Sequence, residues 1–315
     1  MISQQTFVSL EKMESIAPRS HAAKLEKLSL VILEQCRKAQ YRDWIMPNLS
    51  RTPADFAKFL FDKQFPNVSE PESVFLQISL ISKLAKITPL LVEKEKFPKK
   101  IIKYYHGSFD RLVFFLEKVA DNPLGMNYNL FSKIGLVLAI NIPCGAQLLD
   151  LKSTIPLQSV LLTIHRERSL TNVMRYIKCR GFGVWFRGHT DTEYLDEFNE
   201  EGWDNFYLLI AELLLRRRYV RGLVGTSWFY DPQLINISPR LSYLQLRQLE
   251  RGAFQMRHRG TVSDVNFATK SSPTRLRLYQ DGLYNPVSHS LVWGRNEILR
   301  WAENIWRSGS SRAQR

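Results

Sequence analysis

The chain opens in a helical texture. In HAAKLEKLSLVILEQCRKAQYRDWI, residues 21–45, Leu25, Leu28, Ile32 and Cys36 recur at intervals of three and four, which is the repeat of one buried helix face. Thr52 and Pro53 form an N-cap and first-turn pair ahead of PADFAKFLFDKQF. Between Glu70 and Lys86 the apolar positions are Val74, Phe75, Ile78, Ile81 and Leu84, again helical. SFDRLVFFLEKVA is expected to start a further helix from Ser108 as its cap, and VEKEKFPKK, 92–100, reads as a charged connector. No strand is expected in this part of the chain.

The texture changes at DNPLGMNYN, residues 121–129, where turn formers gather. Beyond it IGLVLAINI (134–142), QSVLLTIH (158–165), FGVWFRG (182–188), VRGLVGTSWFY (220–230) and HSLVWG (289–294) read as strands. Helical patterns alternate with them: SLTNVMRYIKCRG stopped by Gly181, EFNEEGWDNFYLLIAELLLRRR, SPTRLRLYQDG and NEILRWAENIW. The expected class is α+β or α/β. A helical N-terminal region, 1–125, precedes a layered α/β domain with a mixed sheet, 126–306, and a disordered tail, 307–315. Strand order is not legible from the pattern.

Composition adds limits. The 315 residues are 44% hydrophobic and 23% charged, so a core is easily built. The longest apolar run, 134–142, is interrupted by Asn141 and falls well short of the roughly 20 residues of a spanning helix. No secretory leader is read at the start, and a cytoplasmic protein without a membrane span is expected. Cys36, Cys144 and Cys179 are far apart and lack zinc-type spacing. They are expected to be structural thiols, with Cys144 in IPCGAQ weighed as a catalytic one.

Charge is unevenly placed. From Arg216 to the end there are 16 Arg and 1 Lys against 6 acids, so most of the formal +14 sits in the last third. Arginine forks suit phosphate and carboxylate. A small anionic or phosphate-bearing ligand is therefore expected as a partner. Nucleic acid is a second reading, since rings and arginines together suit single strands, but no RNP, helix-turn-helix or finger signature accompanies them. The cluster Arg216, Arg217 and Arg218 has a simpler role: it closes a helix that opens with Asn199, Glu200 and Glu201, as the macrodipole favours.

Two loops carry candidate chemistry. WFRGHTDTEYLDEF puts His189 and Asp191 just past an expected strand, where α/β folds often hold reactive groups. With Glu193 and Asp196 the loop has ligand atoms for a metal-dependent hydrolase, but its spacing matches no metal motif, and no metal is predicted. SWFYDPQLINISPRL, 227–241, ends a strand at Asp231-Pro232. Alternation would place Trp228 and Tyr230 on one face, as walls of a substrate pocket with Asp231 and Arg240 as polar contacts. GFGVWF is not a dinucleotide loop, since it ends a helix and starts a strand.

SPTRLRLYQDGLYNPVSHSLVWG resembles the end of a GNAT acyltransferase domain: a Leu278-Tyr279 pair on a late helix, then Gly282 and Tyr284 stepping into a last strand. The resemblance covers about 25 residues, and its spacing departs by one. It implies an acyltransferase that uses acyl-CoA or another acyl thioester, with Tyr279 protonating the leaving thiolate. QLERGA, 248–253, comes near the family's pyrophosphate loop but carries Arg251 where the first glycine belongs. The leading expectation is an acyltransferase-like enzyme with His189 as base, Asp191 beside it and Tyr279 as acid. The alternatives are a non-catalytic binder of nucleic acid or anions, and a metal-dependent hydrolase at His189 and Asp191.

Overall fold

The computed structural model describes residues 3–39, 53–124, 129–145, 147–155, 157–190, 196–258 and 260–312. The chain separates into two compact units, Met1–Cys144 and Gly145–Arg315.

The first unit is helical: α1 (Gln4–Glu14), α2 (Ala22–Ala39), α3 (Pro53–Gln64), α4 (Glu70–Glu95), α5 (Lys99–Asp121) and α6 (Ile134–Val137), then a short strand β1 (Asn141–Pro143). Helix α4 is its axis and packs on α1, α2, α5 and α6. Leu76, Leu80, Ile81, Leu84 and Val92 on it are fully buried. Lys83 and Lys86 of α4 each donate to Glu14 of α1, at 3.1 and 3.0 Å. The face predicted on α2 is buried as expected at Leu25, Leu28, Ile32 and Cys36. By length and a mean hydropathy of 1.4 over its most apolar window, α4 is long and apolar enough to cross a membrane, although Lys83 and Lys86 interrupt its apolar run. Half of that window is buried inside the protein.

Two expectations fail in this unit. Helix α5 starts at Lys99, behind Pro98, and Ser108 lies inside it with its hydroxyl on the Tyr104 carbonyl at 2.9 Å. The connector shrinks to Lys96–Pro98, with Lys96 left-handed. The run 134–142 is not one strand. It begins as α6 and turns at Ala139, whose φ is 52°, before β1. An all-apolar run carries no period to separate helix from strand.

The second unit contains β2 (Gln147–Ser153), α7 (Leu157–Glu167), α8 (Leu170–Lys178), β3 (Val184–Thr190), α9 (Glu200–Arg216), β4 (Val220–Ser227), α10 (Leu234–Ile237), α11 (Tyr243–Glu250), β5 (Phe254–Arg257), α12 (Val262–Thr269), α13 (Pro273–Gln280), β6 (His289–Gly294) and α14 (Arg295–Arg312). Its strands lie in the order β2-β3-β4-β6-β5. Only β3 and β4 are parallel among these; the other pairs are antiparallel. The fold is α+β with a mixed sheet, as expected. One face packs Trp185, Val224, Phe254, Met256 and Val292 against Val160 of α7 and Val173 and Tyr176 of α8. The opposite face carries Trp293 against Tyr207 of α9 and Trp301 of α14, with ring centroids 5.2 and 5.5 Å away.

QSVLLTIH, expected as a strand, lies within helix α7. Its apolar residues point two ways: Val160 is buried, while Leu157, Leu161 and Ile164 are exposed, and this blurs the helical period. Strands β2 and β5 and helices α11 and α12 were not legible. Helix α14 runs to Arg312, past the residue where a tail was expected. The arginine-closed helix α9 is as expected, with the Asn199 side chain accepting from Gly202 N at 2.9 Å.

Strand β4 has one extra residue against β3, because Val184 pairs Val220 while Phe186 pairs Leu223. Gly222 sits in this bulge with φ of 151°, and a Cβ there would lie 2.2 Å from the Trp293 carbonyl oxygen. Gly222→Ala is therefore expected to destabilise the protein by more than about 2 kcal/mol, read as a drop in urea midpoint. An unchanged midpoint would contradict this packing.

Candidate functional site

The carboxyl ends of β3 and β4 assemble a row of polar side chains. Gly188 and Gly225 are register partners on these strands, so His189 and Thr226 are the next residues on each. His189 shares a face with Arg187, and Thr226 shares one with Val224; Arg187 and Val224 are themselves partners. On one flank, Leu148 of β2 pairs with His189, which sets Asp150 two residues on, on the same face. On the other flank, Ser290 of β6 is the partner of Thr226. The order across the face is Asp150, His189, Thr226 and Ser290, and His258 lies beyond them just after β5.

Hydrogen bonds join the row at both ends. His189 Nε2 meets Asp150 Oδ2 at 2.6 Å, with the imidazole about half exposed. When Nε2 carries the proton given to this carboxylate, Nδ1 keeps the lone pair and is the basic nitrogen. Ser290 Oγ lies 2.8 Å from Thr226 Oγ1 and 2.6 Å from His258 Nε2. Ser159 of α7 reaches the same imidazole at 3.2 Å. Ser290 and Ser159 are buried, whereas the Thr226 hydroxyl stands at the exposed end of the chain.

Burial, then the charges of Arg187 and His289, push the His258 imidazole down to about 4, while Asp264 opposes weakly. It is neutral near pH 7. Arg187 is itself held below the usual arginine range by burial, against the pull of Asp150. Its Nη2 donates to the Thr154 carbonyl at 2.6 Å.

The other residues singled out from sequence are placed as follows. Asp191 and Glu193 lie outside the described residues. Trp228 and Tyr230 do not extend β4: the strand stops at Ser227, whose hydroxyl accepts from Phe229 N, and Trp228–Tyr230 forms a tight turn. Both side chains are buried. Trp228 packs on Leu234 and Ala268 with the Arg275 guanidinium 4.8 Å from its ring. Tyr230 lines a narrow cavity of about 10 Å³ with Gly188, Phe206, Tyr207 and Gln248. Asp231 accepts from Gln233 N at 3.0 Å and Val287 N at 3.1 Å, so it ties two loops together. Arg240 is exposed beyond α10, and Tyr279 is exposed on α13.

Burial raises the thiol of Cys36 to about 12 and that of Cys144 higher still. Neither supplies a thiolate at neutral pH, and the catalytic reading of Cys144 is withdrawn. Among the described residues, no group of three His, Cys, Asp or Glu is placed to hold a metal.

Sequence reasoning reached His189 but not Asp150, Thr226, Ser290 or His258. These are brought together by strand register alone. A His258 value below the unfolded 6.5 has a consequence for stability. The stabilisation is complete above about pH 6.5 and is lost as pH falls toward 4, because only the unfolded chain takes up the proton in that window. Between pH 7 and 4.5 the native protein should lose about 2 kcal/mol more than a His258→Asn variant, measured from urea midpoints. Equal losses would contradict the buried neutral imidazole.

No protein-family model and no curated protein matches the chain. Among solved structures it is similar to an acyltransferase in complex with decanoyl-CoA and teicoplanin, with 11% identity, 93% of this chain and 99% of that chain covered, and a TM-score of 0.47. An acyltransferase variant in complex with octanoyl-CoA gives 11%, 92%, 99% and 0.46. An acyltransferase in complex with decanoyl-CoA gives 12%, 92%, 98% and 0.45. At these scores the likeness decides nothing about the fold or activity of this chain.

Proposed function

We propose that the Gly145–Arg315 unit transfers an acyl group from a thioester to an amine or hydroxyl at the carboxyl ends of β3 and β4. The observation that carries this reading is the pairing, on one sheet face, of a carboxylate-held exposed imidazole with an exposed hydroxyl at the end of a hydrogen-bonded chain. Acyl transfer needs both a base for the incoming nucleophile and a donor for the carbonyl oxygen.

His189 Nδ1 takes the proton of the acceptor as its nitrogen or oxygen attacks the thioester carbonyl. Asp150 steadies the imidazolium that forms. Neutral His258 gives its Nε2 proton to Ser290 Oγ in a hydrogen bond, Ser290 gives its own to Thr226, and the Thr226 O–H is left pointing outward. That hydroxyl donates to the oxyanion of the tetrahedral intermediate. Collapse breaks the carbon–sulfur bond, and the thiolate leaves with the proton held on His189. In this sequence the proton on His189 goes to the leaving thiolate, so no separate acid at Tyr279 is invoked. The donor is acyl-CoA or a shorter acyl pantetheine.

The test is thiol release from an acyl-CoA series in the presence of a panel of amines and alcohols, followed with a thiol reagent. His189→Ala should lower kcat/KM by about 10²–10⁴-fold. Asp150→Asn should have a smaller effect through the wrong tautomer. Ser290→Ala should lower kcat about 10–100-fold with KM little changed, as expected for a group acting on the transition state. Thiol release no faster than spontaneous hydrolysis at every chain length, or full activity in His189→Ala, would end this reading.

A further inference from the structure

The amino end of β4 borders a second cavity, of about 640 Å³. Arg175 and Lys178 reach it from α8, Arg180 from the turn that follows, Arg221 from the second position of β4, and Arg295 and Arg300 from the start of α14. Among the described residues Glu297 is the one acid in its lining. Among the described residues none of the six cations is ion-paired. Arg175 donates to the Gly252 carbonyl at 2.8 Å and lies 5.1 Å from the Phe254 ring centroid. Arg295 donates to the Arg217 and Val220 carbonyls, at 3.2 and 3.5 Å. The Nε of Arg221 is buried with no hydrogen-bond partner. Burial, and then the charges of Arg218 and Arg221, hold Arg295 below the usual arginine range.

Six like charges converging on a concavity repel one another, and a multiply charged anion offsets that cost. Guanidinium forks match phosphoryl oxygens in pairs. The volume falls within the roughly 300–1,000 Å³ of small-ligand sites. The charges close round a hollow and do not run along a track, which favours a compact anion over a nucleic-acid strand.

We propose that this cavity binds a ligand carrying two or more phosphoryl groups. It is distinct from the acyl-transfer site, since Arg221 and Thr226 are separated by roughly 17 Å along β4. The same chemistry is offered by a free diphosphate and by an anionic lipid headgroup. Exposed Met174 and Ile177 on α8, with Phe182 beyond it, flank the cationic residues as a lipid surface would require.

Titration calorimetry of the full chain with tripolyphosphate and ADP at near-physiological salt, beside co-sedimentation with phosphatidylcholine vesicles with and without cardiolipin, tests this site and is independent of any acyl transfer. The expected result is saturable binding in at least one arm, weakened tenfold or more by Arg221→Ala. The paired Arg180→Ala and Arg300→Ala changes, both at exposed positions, should act likewise without disturbing the core. Arg277→Ala, 85% exposed and outside the cavity, should leave binding intact. Binding of the free phosphates identifies a soluble ligand. Vesicle binding alone, lost in Met174→Ser with Ile177→Ser, identifies the headgroup. No binding in either arm at millimolar ligand, binding unaltered by the cavity substitutions, or retention of oligonucleotides that the phosphates do not displace would overturn the proposal.

Discussion

Two adjacent strands that run parallel must be joined by a crossover, and here α9 makes it between β3 and β4. This pairing governs the second unit. It puts the carboxyl ends of both strands on one side, where neither is closed by a hairpin, and their amino ends on the other. The bulge at Gly222 then sets the register that aligns Gly188 with Gly225, and with it His189 beside Thr226. Antiparallel neighbours extend the row, so Asp150 and Ser290 join it from strands far away in sequence.

The two ends differ in how their polar groups are answered. At the carboxyl end the groups are paired off: imidazole with carboxylate, hydroxyl with hydroxyl, hydroxyl with a neutral ring. At the amino end six cations face one another with a single acid, an arrangement that costs stability unless an anion answers it. Chemistry suits the first arrangement, where protons can move along short bonds. Recognition suits the second.

Helices α2, α3, α4 and α9 were legible from their periodicity, and at α9 the end residues agree as well, as at Asn199 and the closing arginines. Helix α5 was read with the wrong start and α6 was taken for a strand, because Ser108 mimics a cap and an all-apolar run has no period. QSVLLTIH was misread because apolar side chains occupy both sides of α7. Strand β5 is four residues long, too short to show alternation. His189 was found from its place after a strand. Asp150, Thr226, Ser290 and His258 were not, because nothing local marks a residue that matters only through its partner across a sheet. Trp228 and Asp231 had the look of pocket residues, and their buried positions and backbone partners show how an aromatic loop is held in place. The arginine excess was plain from composition, but nothing local showed that Arg221, Arg295 and Arg300 from it meet Arg175, Lys178 and Arg180 at one hollow.

On the proposed reading, a thioester seats against the imidazole held by Asp150. The most direct measurement is a side-chain NMR spectrum of ¹⁵N-histidine-labelled protein, recorded as an unreactive thioether analogue of acyl pantetheine is added. A saturable shift of the His189 ring nitrogens is expected, with His258 remaining neutral at pH 7. Analogue bound at saturation with the His189 signals unmoved would contradict it.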